Sequence, residues 1–244
     1  MSKTLLVLGA RSDIAQACAH EFAANGFDLI LAARNSADLA NAITDHEIRH
    51  NVKVYTAEFD AAKPASHAAF YAELPIKPDV VLYAIGTLGD QKISEKDWTE
   101  AEKVITSNYT GGVSILSIVA NDFETGNAGT IIGISSVAGE RGRQSNYIYG
   151  SAKAGFTAFM AGLRHRLATT KVKVLTVKPG FVETKMTDGM DLPGMLTAKP
   201  AQIAKAIFKA YRSGKSTLYY LPIWRQIMYV VRSVPEFIFV KTKL

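Results

Sequence analysis

The feature that most restricts how this chain can fold is an alternation that begins at its fourth residue, in which short β-rich runs are separated by stretches of helical periodicity. The runs are Thr4 to Leu8, Asp28 to Ala33, Val52 to Glu58, Asp79 to Tyr83, Thr130 to Ser135, Lys173 to Val177 and Thr217 to Leu221. Between the first two, Ile14, Cys18 and Phe22 recur at helical spacing and Gly26 follows as a stop, which places Cys18 in the core. Strands alternating with helices of this length make βαβ units. The expected fold is therefore α/β: one doubly wound, seven-stranded, mostly parallel sheet with helices on both faces. No internal repeat, low-complexity tract or Pro/Gly/Ser-rich linker interrupts the pattern. The 244 residues read as one domain over 1–221 followed by a tail, 222–244.

Composition excludes several classes. With 48% hydrophobic and 20% charged residues the chain suits a globule with a sizeable core, and disorder and collagen are disfavoured. Cys18 is the only cysteine, so neither an intrachain disulfide nor a thiolate zinc site is available. Arg11 interrupts the first apolar run too early for a signal peptide, and no run reaches the 18 or so apolar residues of a spanning helix. A reducing, cytoplasmic setting is expected. The net charge of +6 calls for an anionic partner, and half of that excess lies in residues 219–244, where Arg225, Arg232, Lys241 and Lys243 face a single Glu236. Basic residues from Arg164 to Lys178 form no stripe, so nucleic acid is not expected.

The first strand runs into Gly9, Ala10, Arg11, Ser12 and Asp13, after which a helix begins near Ile14. Such a turn lets backbone approach a pyrophosphate, held by the free amides and dipole of the helix N-terminus. The spacing is not GxGxxG, however, and Ser12 or Asp13 serves equally well as a plain N-cap. About twenty residues on, the second strand ends in Arg34 and Asn35. An acidic residue there would hold the ribose hydroxyls of NAD, whereas a guanidinium suits the 2'-phosphate of NADP. Arg34 argues for NADP(H), with Arg11 placed to join it. The plainer alternative is a solvated surface arginine.

Tyr149 and Lys153 form YxxxK, a step that puts both side chains on one helix face. A second such pair, Tyr211 and Lys215, sits at an apparent helix end beside Gly214 and reads as chance. Around Tyr149 the context is richer. Ser135 and Ser136 close the run IIGISS, Ser136 precedes Tyr149 by 13 residues, Asn108 precedes Ser136 by 28, and Pro179, Gly180 and Thr184 form PGxxxT after the sixth strand.

In order and spacing these elements resemble the short-chain dehydrogenase/reductase family over nearly the whole chain. The resemblance implies a Rossmann-like, NADP-binding catalytic domain and reduction of a carbonyl by NADPH. Ser136 would hydrogen-bond the substrate oxygen and Tyr149 would protonate it. Lys153 would favour the phenolate through its ammonium and hold the nicotinamide ribose, and Asn108 would hold a water leading protons to it. Cofactor contacts are implied for Gly9, Arg11, Ser12, Asp13, Ile14, Arg34, Asn35, Gly86, Tyr149, Lys153, Pro179, Gly180, Val182 and Thr184, with Asp60 at the adenine. The five histidines show no HExxH or other ligand spacing, and no metal is expected.

The sequence also departs from the family. Leu8, Asp13 and Ala15 replace the Thr and the second and third Gly of TGxxxGxG, and NNAG reads Tyr83, Ala84, Ile85, Gly86. A carboxylate at Asp13 is unfavourable beside a pyrophosphate unless it turns to cap the helix. A looser resemblance is to reductases of polyprenyl-phosphoryl keto-sugars, which implies a lipid-linked or otherwise amphipathic keto substrate. The tail is relevant to that. Between Pro222 and Pro235, Trp224, Ile227, Met228 and Val231 share one helix face, while Arg225 and Arg232 share another. Three readings stay open: an interfacial helix on anionic membrane, at the cytoplasmic face; a cover over the substrate pocket; or a contact with a second subunit of a homo-oligomer. Lys185 to Lys199, without a clear element, reads as a lid. The competing functional class is an NADP(H)-binding sensor or scaffold that keeps the fold without turnover.

Overall fold

The computed structural model describes residues 2–242; Lys243, counted among the cations of the tail, lies outside the described residues. Seven strands form one sheet: β1 (Thr4–Leu8), β2 (Asp28–Ala33), β3 (Val54–Glu58), β4 (Val80–Tyr83), β5 (Thr130–Ile134), β6 (Lys173–Pro179) and β9 (Thr217–Tyr220). A separate pair joins β7 (Phe181–Val182) to β8 (Thr197–Ala198). The helices are α1 (Asp13–Ala23), α2 (Ala40–His50), α3 (His67–Ala72), α4 (Gln91–Ser94), α5 (Trp98–Ile105), α6 (Gly111–Gly126), α7 (Tyr147–Arg166), α8 (Pro200–Arg212), α9 (Ile223–Ser233) and α10 (Glu236–Phe239). The main sheet runs β3-β2-β1-β4-β5-β6-β9, and every pairing is parallel. The seven expected strands are thus present, in a wholly rather than mostly parallel sheet.

Side chains alternate across the sheet, so each central strand feeds two cores. Leu5, Val7, Leu29 and Leu31 pack on one face with Phe22 of α1 and Ile203 and Ile207 of α8. Leu6, Leu8, Ile30 and Val81 pack on the other with Ile115 and Leu116 of α6 and Phe156 and Met160 of α7. Burial of a side chain of this size contributes about 1.5–3 kcal/mol, which explains why the strands read as continuous apolar runs. Cys18 lies in the first core; burial pushes its thiol up to about 12, which makes it inert.

The strand order reverses between β1 and β4. In a doubly wound sheet that reversal opens a crevice at the C-terminal strand ends, where the loops following β1, β4, β5 and β6 meet.

The tail folds back beside this crevice. Trp224 and Met228 of α9 are buried with Val137, and Phe181, Tyr219 and Leu221 pack against them. Of the three readings of the apolar face, the one realised within the chain is packing over the pocket. Arg141 holds the tail's end by donating to the carbonyls of Val231 and Val234, at 2.6 Å each, and to Glu236 at 2.8 Å, with its guanidinium over the Phe239 ring. Arg232 pairs with Glu140 at 3.1 Å, and Lys178 binds the same buried carboxylate. Among the described residues no helix is long and apolar enough to cross a membrane. The expected structureless segment 185–199 contains short 3-10 turns at Lys185–Thr187 and Gly194–Leu196, and β8 closes it onto β7.

Candidate active site

Two adjoining cavities occupy the crevice. One of about 340 Å³ is lined by Asn108, Ser136, Arg143, Asn146, Tyr149, Lys153 and Trp224, among others. The other, about 790 Å³, extends past Gly9 to Arg34 and Asp60. Both are bounded by Arg11, Ser12, Ala84, Ile85 and Gly86, so they form one cleft across the ends of β1 and β4.

The first turn of α7 presents Tyr149, and Lys153 follows one turn later, its Nζ 5.8 Å from the tyrosine ring centre. Lys153 is buried, and its Nζ donates to the carbonyl of Ile134 at 3.0 Å. Burial lowers its pKa to about 7. Burial also raises Tyr149 to about 12, against a smaller lowering by its hydrogen bond with Ser136. Burial thus dominates at Tyr149. Desolvation weakens the ammonium itself and outweighs its attraction for a phenolate.

Ser135 and Ser136 part company at the end of β5. Ser135 Oγ bonds to the Lys153 carbonyl at 3.1 Å and to Thr157 Oγ1 at 2.6 Å, bracing α7 against the sheet. Ser136 Oγ accepts from the Ala138 amide at 3.1 Å and lines the smaller cavity. Asn108 sits in a π-helical turn, Thr106–Thr110, between α5 and α6. Its Nδ2 donates to the carbonyls of Thr87 and Val104, at 2.7 and 2.8 Å, while its buried Oδ1 has no partner. Gly86 explains how that oxygen approaches the lysine: a Cβ there would lie 2.5 Å from Asn108 Oδ1 and 3.2 Å from Lys153 Nζ.

The nucleotide half matches expectation in part. Gly9 takes φ +93°, which favours glycine, and Ser12 caps α1 by accepting from the Ala15 amide at 3.1 Å. The first amides of α1, which have no partner within the helix, open on the cleft that Ser12, Asp13 and Ile14 line. Asp13 neither caps the helix nor stands free: its Oδ2 accepts from the Lys185 amide at 2.8 Å and ties the first turn to segment 185–199. Arg34 is exposed at the end of β2 and lines the larger cavity. Arg11 lines the same cavity and pairs with Asp38 at 3.1 Å. Asn35 does not line the cleft. It makes a left-handed turn at φ 54°, fastened where its amide and that of Ser36 both donate to Glu58 at 2.9 Å. Asp60 lines the larger cavity with one oxygen accepting from the Ala62 amide at 3.0 Å.

Pro179, Gly180, Val182 and Thr184 line the smaller cavity. Gly180 has a further reason to be glycine, since a Cβ there would come within 2.0 Å of the Trp224 indole. Tyr211 of the second YxxxK packs against Phe22, Phe27 and Phe208, away from the cleft.

The pocket residues that the sequence pattern does not mark as site residues include Arg143, Asn146, Phe181, Met186, Met190 and Trp224. Arg143 and Asn146 lie in the loop between Ser136 and Tyr149, so the residues bracketing them were the available signal. Among the described residues, the buried polar side-chain atoms without a partner are Asn108 Oδ1, Arg143 Nε, Asn146 Oδ1 and both ring nitrogens of His46. The first three line the smaller cavity. A cleft with a helix N-terminus, an arginine at the end of β2 and unmatched polar atoms facing inward fits a dinucleotide and a polar organic substrate.

Comparison with known proteins agrees with this geometry. Residues 3–192 match the model of a family described as short chain dehydrogenase. An uncharacterized oxidoreductase of Mycobacterium tuberculosis is 36% identical over 239 residues, covering 96% of this chain and 94% of the relative. An NADP-dependent 3-hydroxy acid dehydrogenase of Schizosaccharomyces pombe is 29% identical over 190 residues, 76% of this chain and 73% of the relative. A short-chain dehydrogenase from Sphingobium yanoikuyae, solved in complex with NADPH, superposes with a TM-score of 0.82 at 22% identity, covering 96% of this chain and 97% of that one.

Proposed function

The chain belongs to the short-chain dehydrogenase/reductase family, and from that premise we propose that it is an NADP(H)-dependent oxidoreductase that reduces a keto group to an alcohol, with Tyr149 as general acid. The observation that carries this is the convergence of Tyr149, Ser136, Lys153 and Asn108 on one cavity, with Lys153 Nζ buried and Asn108 Oδ1 unpartnered. NADPH, when bound, supplies the hydride. Ser136 orients the carbonyl oxygen, and Tyr149, protonated throughout the neutral range, gives that oxygen its proton as the carbon is reduced. Lys153, with a pKa near neutrality, then returns a proton to the phenolate and regains one from a water that Asn108 Oδ1 would hold as an acceptor. In alcohol oxidation the same groups act in reverse. Arg34 holds the 2'-phosphate, and Asp13 latches segment 185–199 as a lid.

The substrate is an amphipathic ketone bearing an anionic group. Phe181, Met186, Met190 and Trp224 give the smaller cavity an apolar wall, and Arg143, whose Nε is buried without an acceptor, supplies the cation. A polyprenyl-phosphoryl keto-sugar satisfies both requirements. Exposed Ile223, Tyr229, Val230, Phe237 and Ile238 would rest on an anionic membrane surface. Tyr149→Phe tests the acid: turnover is expected to fall by about 10²–10⁴ while NADPH binding stays within twofold. Full turnover in that variant refutes the assignment. Arg143→Met should raise KM for anionic ketones and leave neutral ones unchanged; an equal effect on both removes the anion subsite. Loss of sedimentation with anionic vesicles on deleting residues 222–244 tests the membrane contact.

A further inference from the structure

We infer that His20, His46 and His50 form a binding site for one divalent transition metal of the kind that prefers imidazole ligands, such as Zn²⁺, linking the C-terminal ends of α1 and α2. The juxtaposition is tertiary. His46 and His50 are one helical turn apart on α2, and His20 reaches them from the last turn of α1. One nitrogen from each ring lies within 4.8 Å of the other two. The His20 Nδ1 to His50 Nε2 distance is 3.4 Å. Two nitrogens each about 2.0–2.1 Å from a tetrahedral zinc are separated by about 3.3–3.4 Å.

Two further observations point to an ion. His46 is completely buried, yet neither ring nitrogen has a hydrogen-bond partner. A buried imidazole left this way costs about 1–3 kcal/mol per unsatisfied group, and a metal bond removes that penalty at one of the two nitrogens. The other ring nitrogen of His20, Nε2, faces Asp45 Oδ2 at 3.5 Å, the carboxylate–histidine–metal arrangement that fixes the tautomer and strengthens the ligand. His20 and His50 are partly exposed, which leaves water to fill a fourth position.

The site has structural work to do. His46 is the one side chain of α2 that is fully buried, so this helix contributes little else to the core. α2 follows the turn carrying Arg34 and Asn35. A metal shared with α1 would anchor the helix and, through it, the rim of the nucleotide cleft. No local motif marks the site in the sequence: His46 and His50 form an i,i+4 pair, but their partner His20 lies 26 residues upstream of His46.

The test uses untagged, chelator-treated full-length protein, titrated with Zn²⁺ by calorimetry and with Co²⁺ by visible absorption. The expected result is one equivalent of metal, a tetrahedral Co²⁺ spectrum and a higher melting temperature with Zn²⁺. His20→Gln and His50→Gln, at partly exposed positions where folding is not at risk, should each weaken binding at least tenfold. Asp45→Asn should weaken it about 10- to 100-fold, with NADPH affinity in metal-free protein unchanged in all three. No stoichiometric binding, a Co²⁺ spectrum typical of octahedral oxygen ligation, or binding undiminished in His20→Gln/His50→Gln overturns the assignment. Because the readout is metal binding and melting temperature, the outcome is independent of whether the cleft reduces ketones.

Discussion

The cleft at the strand ends and the histidine cluster at the opposite ends of α1 and α2 both bury polar atoms that the fold leaves without partners. They differ in the space around those atoms. In the cleft, Asn108 comes from the π-helical turn before α6, Arg143 and Asn146 come from the loop before α7, and all three line a cavity of about 340 Å³, large enough for an organic molecule. In the cluster, three imidazoles close to within 4.8 Å of one another, which suits an ion. A second contrast concerns cost. In the cleft the groups read as chemical, Lys153 and Tyr149, are shifted by desolvation, and stability is given up to keep them there. At the cluster, an unsatisfied histidine takes the place of the apolar anchor that α2 lacks. The fold therefore contains two unsatisfied regions, of which one is read as a site of reaction and the other as a fastening.

The largest test of this contrast is Lys153→Met. Activity should drop by about 10³ or more, within the range for loss of a proton-relay partner. Stability should move the other way. The folded pKa of Lys153, about 7, lies below the ordinary value near 10.4, so stabilisation by the neutral form is complete above about pH 10.4 and is lost as pH falls towards 7. At pH 7 and below, the buried ammonium is a net cost, and the substitution should raise the melting temperature of the ligand-free protein by about 2–4 °C in scanning calorimetry. A fall in melting temperature would show that the lysine is a structural support.

Next in size is Arg34→Ala, which should raise the Kd for NADPH by about 10- to 100-fold, the worth of a charge-assisted phosphate contact, with NADH unchanged. Equal loss for both cofactors would place Arg34 outside the phosphate site. The pH dependence follows from Tyr149, raised to about 12. The protonated form serves reduction, so kcat/KM for a ketone should hold through neutral pH and fall only in strongly alkaline solution, while alcohol oxidation rises with pH. A single-turnover reduction rate, which does not depend on proton return through Lys153, that fell tenfold between pH 7 and 8 would assign the acid to another group. The smallest effect is expected for Asp13→Asn, which keeps an oxygen for the Lys185 amide but removes the charge; kcat should change by no more than about threefold, since only the lid's latch is weakened.

What the sequence disclosed divides along the same line. The sheet was legible because both of its faces are buried, which makes each strand a continuous apolar run such as Leu5 to Leu8. Asn108, Ser136, Tyr149 and Lys153 were legible because their spacing along the chain is set by elements of fixed length. Arg143 and Asn146 were not, because a loop carries them into the cavity and no periodicity marks them. What turns the Asp13 carboxylate aside was not legible for a similar reason: its partner is the backbone of Lys185, 172 residues away. The face of α9 read correctly as apolar, but what it covers depends on Gly180 leaving room for Trp224, a contact across 44 residues. His20 joins His46 and His50 only through the packing of two helices.

The central claim is that the polar groups of the cleft carry out hydride reduction rather than merely binding a nucleotide. It is tested most directly by giving the enzyme NADPH labelled with deuterium on the transferring face and analysing the alcohols formed from a panel of anionic and neutral ketones by mass spectrometry. The account predicts one deuterium at the former carbonyl carbon, with anionic amphipathic ketones preferred, and little or no labelled alcohol from Tyr149→Phe. Tight NADPH binding with no labelled product from any ketone would contradict it and leave a nucleotide-binding protein without turnover.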